Sequence, residues 1–194
     1  FMTDAIDEYI IPKLTSYNDI SLYSITKTNL DLGENEDEKK SIDNLKNEYS
    51  ELCKSMKEVL GSRVEGVVVS SRIVDTPGCL VTAEFGWSAN MERIMNAQAL
   101  QQNQMAQFMK PRKTLEINPE HSIIKNLKNI YTDKTDKYNE FVILLYETVL
   151  IDSGFSLEDT RGYSSRIYSF IDSGLNSVTL NNRNLEVSTE SVEE

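Results

Sequence analysis

The chain has 194 residues, of which 39 % are hydrophobic and 26 % charged, and this length and composition are those of a globular protein with its own core. The net charge of −11 at pH 7 argues against nucleic acids and anionic membranes as partners, because phosphate binding needs a concentrated basic face. No apolar run approaches the length of about 20 residues that a transmembrane helix requires, so no membrane span is predicted.

The first part of the chain shows too little periodicity to fold alone. It predicts a helical turn at residues 5–11, which Pro12 ends, and then an extended segment at residues 21–26. A charged run, ENEDEKK, follows at residues 34–40 and has no large apolar side chain. This run indicates a solvated linker or the entrance to a helix.

A helix is predicted from Ile42 onward, with Ser41 as its N-cap and Gly61 as its end. Its apolar residues are three or four positions apart, which places them on one stripe that faces the core. The stripe comprises Ile42, Leu45, Tyr49, Leu52, Met56 and Val59.

The pattern then changes from helix to strand. Residues 64–74 are rich in β-branched side chains, and residues 80–85 form a second extended run. Pro77 and Gly78 lie between the two runs in the order that a type II turn requires, which predicts an antiparallel hairpin. A third extended run, residues 113–117, can join the same sheet.

Residues 85–109, called here the Met-rich segment, contain the only tryptophan and four of the six methionines. The first half of the segment has helical periodicity, and either Ser88 or Asn90 can serve as its N-cap. One face of the predicted helix consists of Trp87, Met91, Ile94 and Met95.

The apolar face of the Met-rich segment has two interpretations. A stripe of methionine and aromatic residues at helical spacing is usually core. Surface methionines can instead re-pack against partners of different shape, and the glutamine and asparagine residues between positions 98 and 107 would make a poor core. The second interpretation makes the segment a contact surface that also includes Met105, Phe108 and Met109.

Another helix is predicted after the third extended run, with Asn118 as its N-cap and Pro119 in its first turn. The only histidine, His121, lies in this first turn. No cysteine, serine nucleophile or carboxylate pair is grouped around it, so the sequence gives His121 no catalytic or metal-binding role.

The sequence contains no recognisable reaction centre. Cys53 and Cys79 lack the spacing of metal ligands and are predicted to be buried free thiols. A Gly-rich phosphate loop, an HExxH pair and a GxSxG elbow are all missing from the sequence. We therefore expect no active site, no metal and no cofactor within these residues.

Residues 141–151 are apolar on nearly every side, so a helix at this position must be covered from more than one direction. Gly154 fits the left-handed position of a Schellman ending, and Phe155 is then placed to contact Leu150. The following helix is predicted to begin after Asp159 and to end at Gly174.

These two helices leave a broad apolar face. A second copy of the chain, related by a two-fold axis, would cover it in a four-helix bundle. In the alternative, both helices pack inward on the sheet of their own chain. The residues predicted for the dimer interface are Phe141, Leu144, Leu145, Thr148, Tyr163, Ile167, Phe170 and Ile171.

Several stretches resemble one protein family in the same order. They are IDEY at residues 6–9, GWSANMERIM at 86–95, AQAL at 97–100, LEINPEHSII at 115–124 and LLYETVLIDSGFSLED at 144–159. The stretches resemble the C-terminal domain of the heat-shock protein 90 family of chaperones.

This resemblance implies an α+β fold, in which a small, mainly antiparallel three-stranded sheet carries packed helices and a helix hairpin forms the four-helix bundle of the dimer. By the same resemblance, residues 1–36 correspond to the end of the middle domain and a linker. Residues 37–175 correspond to the C-terminal dimerisation domain, and residues 176–194 to a flexible acidic tail.

The resemblance implies homodimerisation and contact with partly folded client proteins and cochaperones. Trp87 and the three apolar residues that share its face match the family closely. The later residues Met105, Phe108 and Met109 lie in a less similar part, because Gln101 and Gln102 depart from the usual pattern. The alternative is a homodimeric adaptor that binds no client.

The resemblance places ATP and magnesium binding in an N-terminal domain of the parent protein, outside these residues. Cytosolic members end in Met-Glu-Glu-Val-Asp, which tetratricopeptide-repeat cochaperones recognise. Because this pentapeptide is absent here, docking of those cochaperones is not expected. The matching stretches favour the cytoplasm, with the endoplasmic reticulum as the alternative.

Overall fold

The computed structural model describes residues 7, 10–28, 36–83, 86–99, 113–133 and 135–190. The chain divides into two compact units, the first ending at Leu157 and the second beginning at Glu158. The strands are β1 (Ser16–Tyr17), β2 (Ile20–Ser21), β3 (Gly66–Val69), β4 (Gly78–Thr82) and β5 (Lys113–Ile117). The α-helices are α1 (Glu36–Glu48), α2 (Ser50–Leu60), α3 (Ala89–Ala99), α4 (Ser122–Ile130), α5 (Asp136–Asp152) and α6 (Thr160–Glu190).

The main sheet has the strand order β3-β5-β4. Strand β5 pairs in parallel with β3, where Leu115 lies opposite Val67, and antiparallel with β4, where Leu115 lies opposite Leu80. The predicted hairpin is therefore wrong, because β5 lies between its two strands, and the sheet is mixed rather than mainly antiparallel. Leu115 and Ile117 on β5 are completely buried. The central place of β5 in the sheet accounts for this, because a neighbouring strand lies on each side of it.

Gly78 has a different role from the one that its turn motif predicts. It lies in β4 and does not have the positive φ that a type II turn needs. A Cβ atom at this position would lie 2.7 Å from the carbonyl oxygen of Glu116 on β5. A glycine here therefore permits close approach of the two strands.

The predicted helix from Ile42 to Gly61 is present as two helices. It begins earlier, at Glu36, so Ser41 lies inside α1 and does not cap it. The break falls at Tyr49, which is buried and whose hydroxyl donates to the carbonyl oxygen of Pro119 at 3.0 Å. Helical backbone hydrogen bonds continue across the break, from Tyr49 N–H to Leu45 and from Cys53 N–H to Tyr49. The predicted end at Gly61, with φ 55°, is confirmed.

Helix α4 begins three residues later than predicted. Its N-cap is His121, whose Nδ1 accepts a hydrogen bond from the backbone N–H of Ile123 at 3.2 Å. Asn118 is not the cap, because its Oδ1 accepts from the N–H of Glu120 and its Nδ2 donates to the carbonyl oxygen of Val74. The amide thus links β5 to the loop before β4.

The core lies between one face of the sheet and two helices, with α2 against β3, α5 against β4, and α2 against α5. Thr135 caps α5 by accepting a hydrogen bond from the N–H of Tyr138 at 3.2 Å. The largest completely buried side chains include Tyr138, Leu52, Met56, Leu115, Ile117 and Val142.

The Schellman ending predicted for α5 is confirmed. Gly154 has φ 82°, and its N–H donates to the carbonyl oxygen of Ile151 at 2.9 Å. The N–H of Phe155 donates to the carbonyl oxygen of Leu150 at 3.0 Å, and both side chains are buried. The ending places Phe155 in the core.

We expect Gly154→Ala to lower the free energy of unfolding by about 1–2 kcal/mol, because an L side chain is strained at positive φ. The added Cβ would also lie 3.4 Å from the Cβ of Ala89. Thermal unfolding followed by circular dichroism measures this effect. The control is Gly66→Ala, because a Cβ atom at Gly66 would meet no atom within 4 Å and the backbone there has no positive φ. Equal melting temperatures for the two variants would contradict the assigned role of Gly154.

The N-terminal segment of the described chain forms a small hairpin that the sequence analysis missed. β1 and β2 are joined by Asn18 and Asp19, both with positive φ. Tight two-residue hairpin turns favour asparagine and aspartate at such positions, so this pair could have predicted the hairpin. Farther on, Lys27 forms a parallel bridge with Thr82 of β4. Of the extended segment predicted at residues 21–26, only Ser21 belongs to a strand.

The second unit contains α6. Its predicted N-cap is confirmed, because Asp159 Oδ1 accepts from the N–H of Gly162 at 2.8 Å. The predicted end at Gly174 is wrong, since the helix runs through this position to Glu190 and includes residues 176–190 of the expected tail. A glycine in a helix costs only about 1 kcal/mol, and no proline follows to stop the helix.

Candidate protein-interaction surfaces

The described part of the Met-rich segment forms α3. Ser88 is its N-cap, since the hydroxyl oxygen accepts a hydrogen bond from the N–H of Met91 at 3.2 Å. This confirms one of the two predicted caps. Trp87 directly precedes the cap and is half-buried.

Helix α3 is held to the rest of its unit by its polar residues. The carboxylate of Glu92 is 2.8 Å from Nζ of Lys113 on β5, and both side chains are largely buried. The same ammonium group lies 4.5 Å from the centroid of the Phe155 ring. Arg93 donates from Nη2 to the carbonyl oxygen of Gly154 at 2.9 Å. These contacts connect α3 to the first residue of β5 and to the end of α5.

The apolar face of α3 lies outside the buried core. Its four residues are half-buried, and none belongs to the cluster of buried core side chains. A helix that packs on a core normally buries its apolar face and exposes its polar face. Here a charged residue of the polar face, Glu92, is buried, while the apolar face stays accessible. The face consists of Trp87, Met91, Ile94 and Met95.

The later contact residues predicted in the Met-rich segment, Met105, Phe108 and Met109, lie outside the described residues. The apolar pattern of the segment did not reveal that Glu92 and Arg93 anchor α3. Lys113 was also missed, because nothing in its local sequence indicates a partner on α3.

The predicted dimer residues on α5 differ in exposure. Leu145 is buried in the core of its own unit, and Leu144 is half-buried. Phe141 is 39 % exposed, and Ile151 on the same helix is 45 % exposed. Thr148 is exposed and donates from its hydroxyl to the carbonyl oxygen of Leu144 at 2.8 Å.

Helix α6 exposes large apolar side chains. Phe170 and Ile171 are 56 % and 51 % exposed, whereas Tyr163 and Ile167 are half-buried. Single exposed apolar residues are ordinary, but a group of them on one helix marks a surface for contact with another molecule. Tyr168 and Leu175 are also among the exposed apolar residues of α6.

Both cysteines are free thiols, as predicted, although they are half-buried rather than buried. Burial raises the pKa of Cys53 to about 11. Burial and the negative charge of Glu116 raise the pKa of Cys79 to about 11, against the opposing effect of Arg72. Since the thiolate is the reactive form, both thiols are poor nucleophiles at neutral pH.

The described residues thus present apolar surfaces on a folded scaffold, the class of surface through which proteins bind other proteins. None of the described helices is both long and apolar enough to cross a membrane. Within the same residues, no three His, Cys, Asp or Glu side chains are grouped so that they could hold a metal ion.

Comparison with known proteins identifies the family. The family model described as "Hsp90 protein" matches residues 1–194, so the chain belongs to the Hsp90 family, whose members named below are heat-shock chaperones. Human heat shock protein HSP 90-beta-3 is 47 % identical over 177 residues, which are 90 % of this chain and 30 % of the relative. Heat shock protein 83 of Leishmania donovani is 44 % identical over 90 % of this chain and 39 % of its own length.

A third relative, an endoplasmin homolog of Arabidopsis thaliana, is 42 % identical over 91 % of this chain and 21 % of its own length. The chain therefore spans between about a fifth and two fifths of the length of these relatives. Membership of the chaperone family is shown for the chain as a whole.

Proposed function

We propose that this chain is the C-terminal homodimerisation and client-contact region of an ATP-dependent Hsp90 chaperone. The observation that carries the client assignment is the orientation of α3. The buried Glu92–Lys113 pair holds the helix by its polar face, and the apolar face is only partly buried. Partly folded proteins expose apolar surface of varied shape, and methionine side chains can adapt to it.

The homodimer assignment is supported by the exposed apolar residues of α6 and by family membership. In the proposed dimer, α5 and α6 of two copies form a four-helix bundle. The bundle would keep two ATP-hydrolysing arms of the parent protein at high effective concentration, so that their transient association becomes intramolecular. ATP and magnesium would bind in the parent outside this region.

The proposed compartment is the cytoplasm. Two of the most similar relatives carry no organelle in their names, whereas endoplasmin, mitochondrial and chloroplastic relatives are between 35 % and 42 % identical. The proposed partners are a second copy of the chain, client proteins and cochaperones.

Replacing Trp87 and Met91 together by serine tests the client surface. We expect the double variant to lose most of its ability to suppress the aggregation of heat-unfolded citrate synthase, measured by light scattering. Its melting temperature should stay within a few degrees of the wild type, because both side chains lie outside the buried core. Ile123→Ser is the control, since Ile123 is an accessible apolar residue on a different helix.

Two outcomes would contradict the client surface. Collapse of the fold in the double variant would show that the face of α3 is core. Unchanged suppression by a folded double variant would place client binding elsewhere, and absence of suppression by the wild type itself would favour the homodimeric adaptor that binds no client. The control variant should suppress aggregation as well as the wild type does.

A further inference from the structure

A second candidate binding surface lies at the edge of the main sheet that is opposite to β4. The strand order makes β3 an edge strand of the described sheet, and a groove of about 420 Å³ runs beside it. We call it the β3 groove. Its lining residues are Lys46, Ser50, Cys53, Lys54, Lys57 and Gly66–Val69.

Strand β3 is short but lacks prolines, charged residues and bulges, three of the features that protect an exposed edge. Proteins block such edges with prolines, charged residues on the strand, or bulges, because unpaired backbone groups can pair with another strand. The sequence of β3 is Gly-Val-Val-Val and has none of these. Val67 and Val69 point into the core, whereas Val68 is 44 % exposed.

The rim of the groove is basic in a protein of net charge −11. Among the residues that the structure describes, three lysines and no acidic residue line the groove. Lys57 is occupied, because its Nζ donates to the carbonyl oxygens of Gly61 and Val64 at the end of α2. The other two lysines are therefore the ones that a ligand can use.

Lys46 and Lys54 make only exposed ion pairs, with Asp43 at 3.4 Å and Glu51 at 2.7 Å. Exposed pairs of this kind contribute about 0–1 kcal/mol, so the carboxylate of a ligand can replace them at little cost. Successive side chains of a strand point to opposite faces, so a strand beside β3 can direct acidic side chains toward Lys46 and Lys54 on the helices and apolar side chains toward the exposed Val68.

We propose that the β3 groove binds an extended acidic peptide segment of a partner protein, which adds to the sheet as a strand beside β3. Backbone hydrogen bonds to the edge supply affinity that does not depend on sequence. Alternate side chains supply specificity, with carboxylates at Lys46 and Lys54 on the helix side and apolar groups beside Val68 on the other side. This surface is separate from α3 and α6 and goes beyond the function proposed above.

The test uses the whole 194-residue chain and a capped hexapeptide of alternating valine and glutamate as the probe. We expect backbone amide NMR signals of Gly66–Val69 to shift on titration, and the affinity to fall as salt is added. The double variant Lys46→Glu/Lys54→Glu should bind at least about tenfold more weakly. Lys125→Glu is the control, because Lys125 is a similarly exposed lysine paired with Glu120.

A peptide N-methylated at alternate residues, with the same charge, distinguishes strand addition from simple charge attraction. The methyl groups remove backbone donors, so this peptide should bind at least about tenfold more weakly. Equal binding of the two peptides, equal binding by the double lysine variant, or no binding of the first peptide at millimolar concentration would each overturn the proposal.

Two other occupants give distinct results. If the acidic end of this same chain filled the groove, removal of residues 186–194 would alter the β3 signals before any peptide is added. If a second copy filled it, those signals would change with protein concentration alone. Either result would overturn the assignment to a partner protein.

Discussion

The double variant Phe170→Asp/Ile171→Asp is expected to be a monomer under conditions in which the wild-type chain is a dimer. Both side chains are more than half exposed in the single chain, and a two-fold axis would bring four of them into one bundle. Complete burial of one such side chain contributes about 1.5–3 kcal/mol, so partial burial of four still accounts for several kcal/mol. The substitutions remove this gain and place like charges together.

Sedimentation equilibrium over a wide concentration range measures the effect. The wild type should show a mass near twice 22.1 kDa that persists to low concentration, and the variant a mass near 22.1 kDa. We expect the dissociation constant to rise by at least about a thousandfold, which corresponds to about 4 kcal/mol. Failure of the client test on α3 would leave this result unaffected, because the two surfaces are on different helices.

Ile123→Asp is the matched control for this experiment. Ile123 is 44 % exposed on α4, so the variant replaces an exposed apolar side chain by aspartate on another helix and should remain dimeric. A wild type that is monomeric at every concentration would rule out the homodimer proposal. A double variant that remains dimeric would place the interface away from Phe170 and Ile171.

Some features that depend only on neighbouring residues were predicted correctly from the sequence, although the caps at Ser41 and Asn118 and the end at Gly174 were not. The Schellman ending requires only a glycine at positive φ and an apolar residue after it, and Gly154 and Phe155 provide both. The caps Ser88 and Asp159 form hydrogen bonds within three residues of their own position. Such local hydrogen bonds can be recognised without knowing what packs around them.

Features that depend on distant residues were predicted wrongly. Pro77 and Gly78 gave a strong local turn signal, but the order of strands is decided by the burial of Leu115 on both sides. The break between α1 and α2 falls at Tyr49, whose buried hydroxyl donates to the carbonyl oxygen of Pro119, far along the chain. Neither event has a signature in the residues next to it.

The same distinction applies to the candidate client surface. The clustering of Trp87 and the methionines identified the segment, because such a composition is unusual wherever it occurs. It could not show that Glu92 is buried against Lys113, since these residues are brought together only by the position of β5. Without that contact the apolar face of α3 would be indistinguishable from core.

Glu116→Ala is expected to give the largest loss of stability. Its carboxylate accepts two hydrogen bonds from the guanidinium of Arg72, from Nε at 2.9 Å and from Nη2 at 2.8 Å, and a third from the hydroxyl of Ser70 at 3.0 Å. The side chains of Glu116 and Arg72 are only 10 % and 15 % exposed. Removing one partner of a buried pair costs about 3–5 kcal/mol, because the other charge is left without compensation.

In a domain of this size, a loss of that magnitude lowers the melting temperature by about 10 °C. Glu120→Ala is the matched control, since Glu120 is an exposed glutamate paired with Lys125 and should change the melting temperature by about 1–3 °C at most. Arg72 also donates from Nη1 to the carbonyl oxygen of Ile25 at 2.7 Å. Loss of the Glu116 carboxylate should leave the Arg72 side chain less well held, and amide hydrogen exchange near Ile25 should therefore become faster.

Thiol alkylation separates the loss of this charge from general loosening of the fold. Glu116 raises the pKa of Cys79 and Arg72 lowers it, so in Glu116→Ala the remaining guanidinium should lower this pKa and accelerate alkylation of Cys79 near pH 8. The pKa of Cys53 is raised by burial alone and should not change. Faster alkylation of both thiols would instead show global unfolding, and equal melting of the Glu116 and Glu120 variants would contradict a structural role for the buried pair.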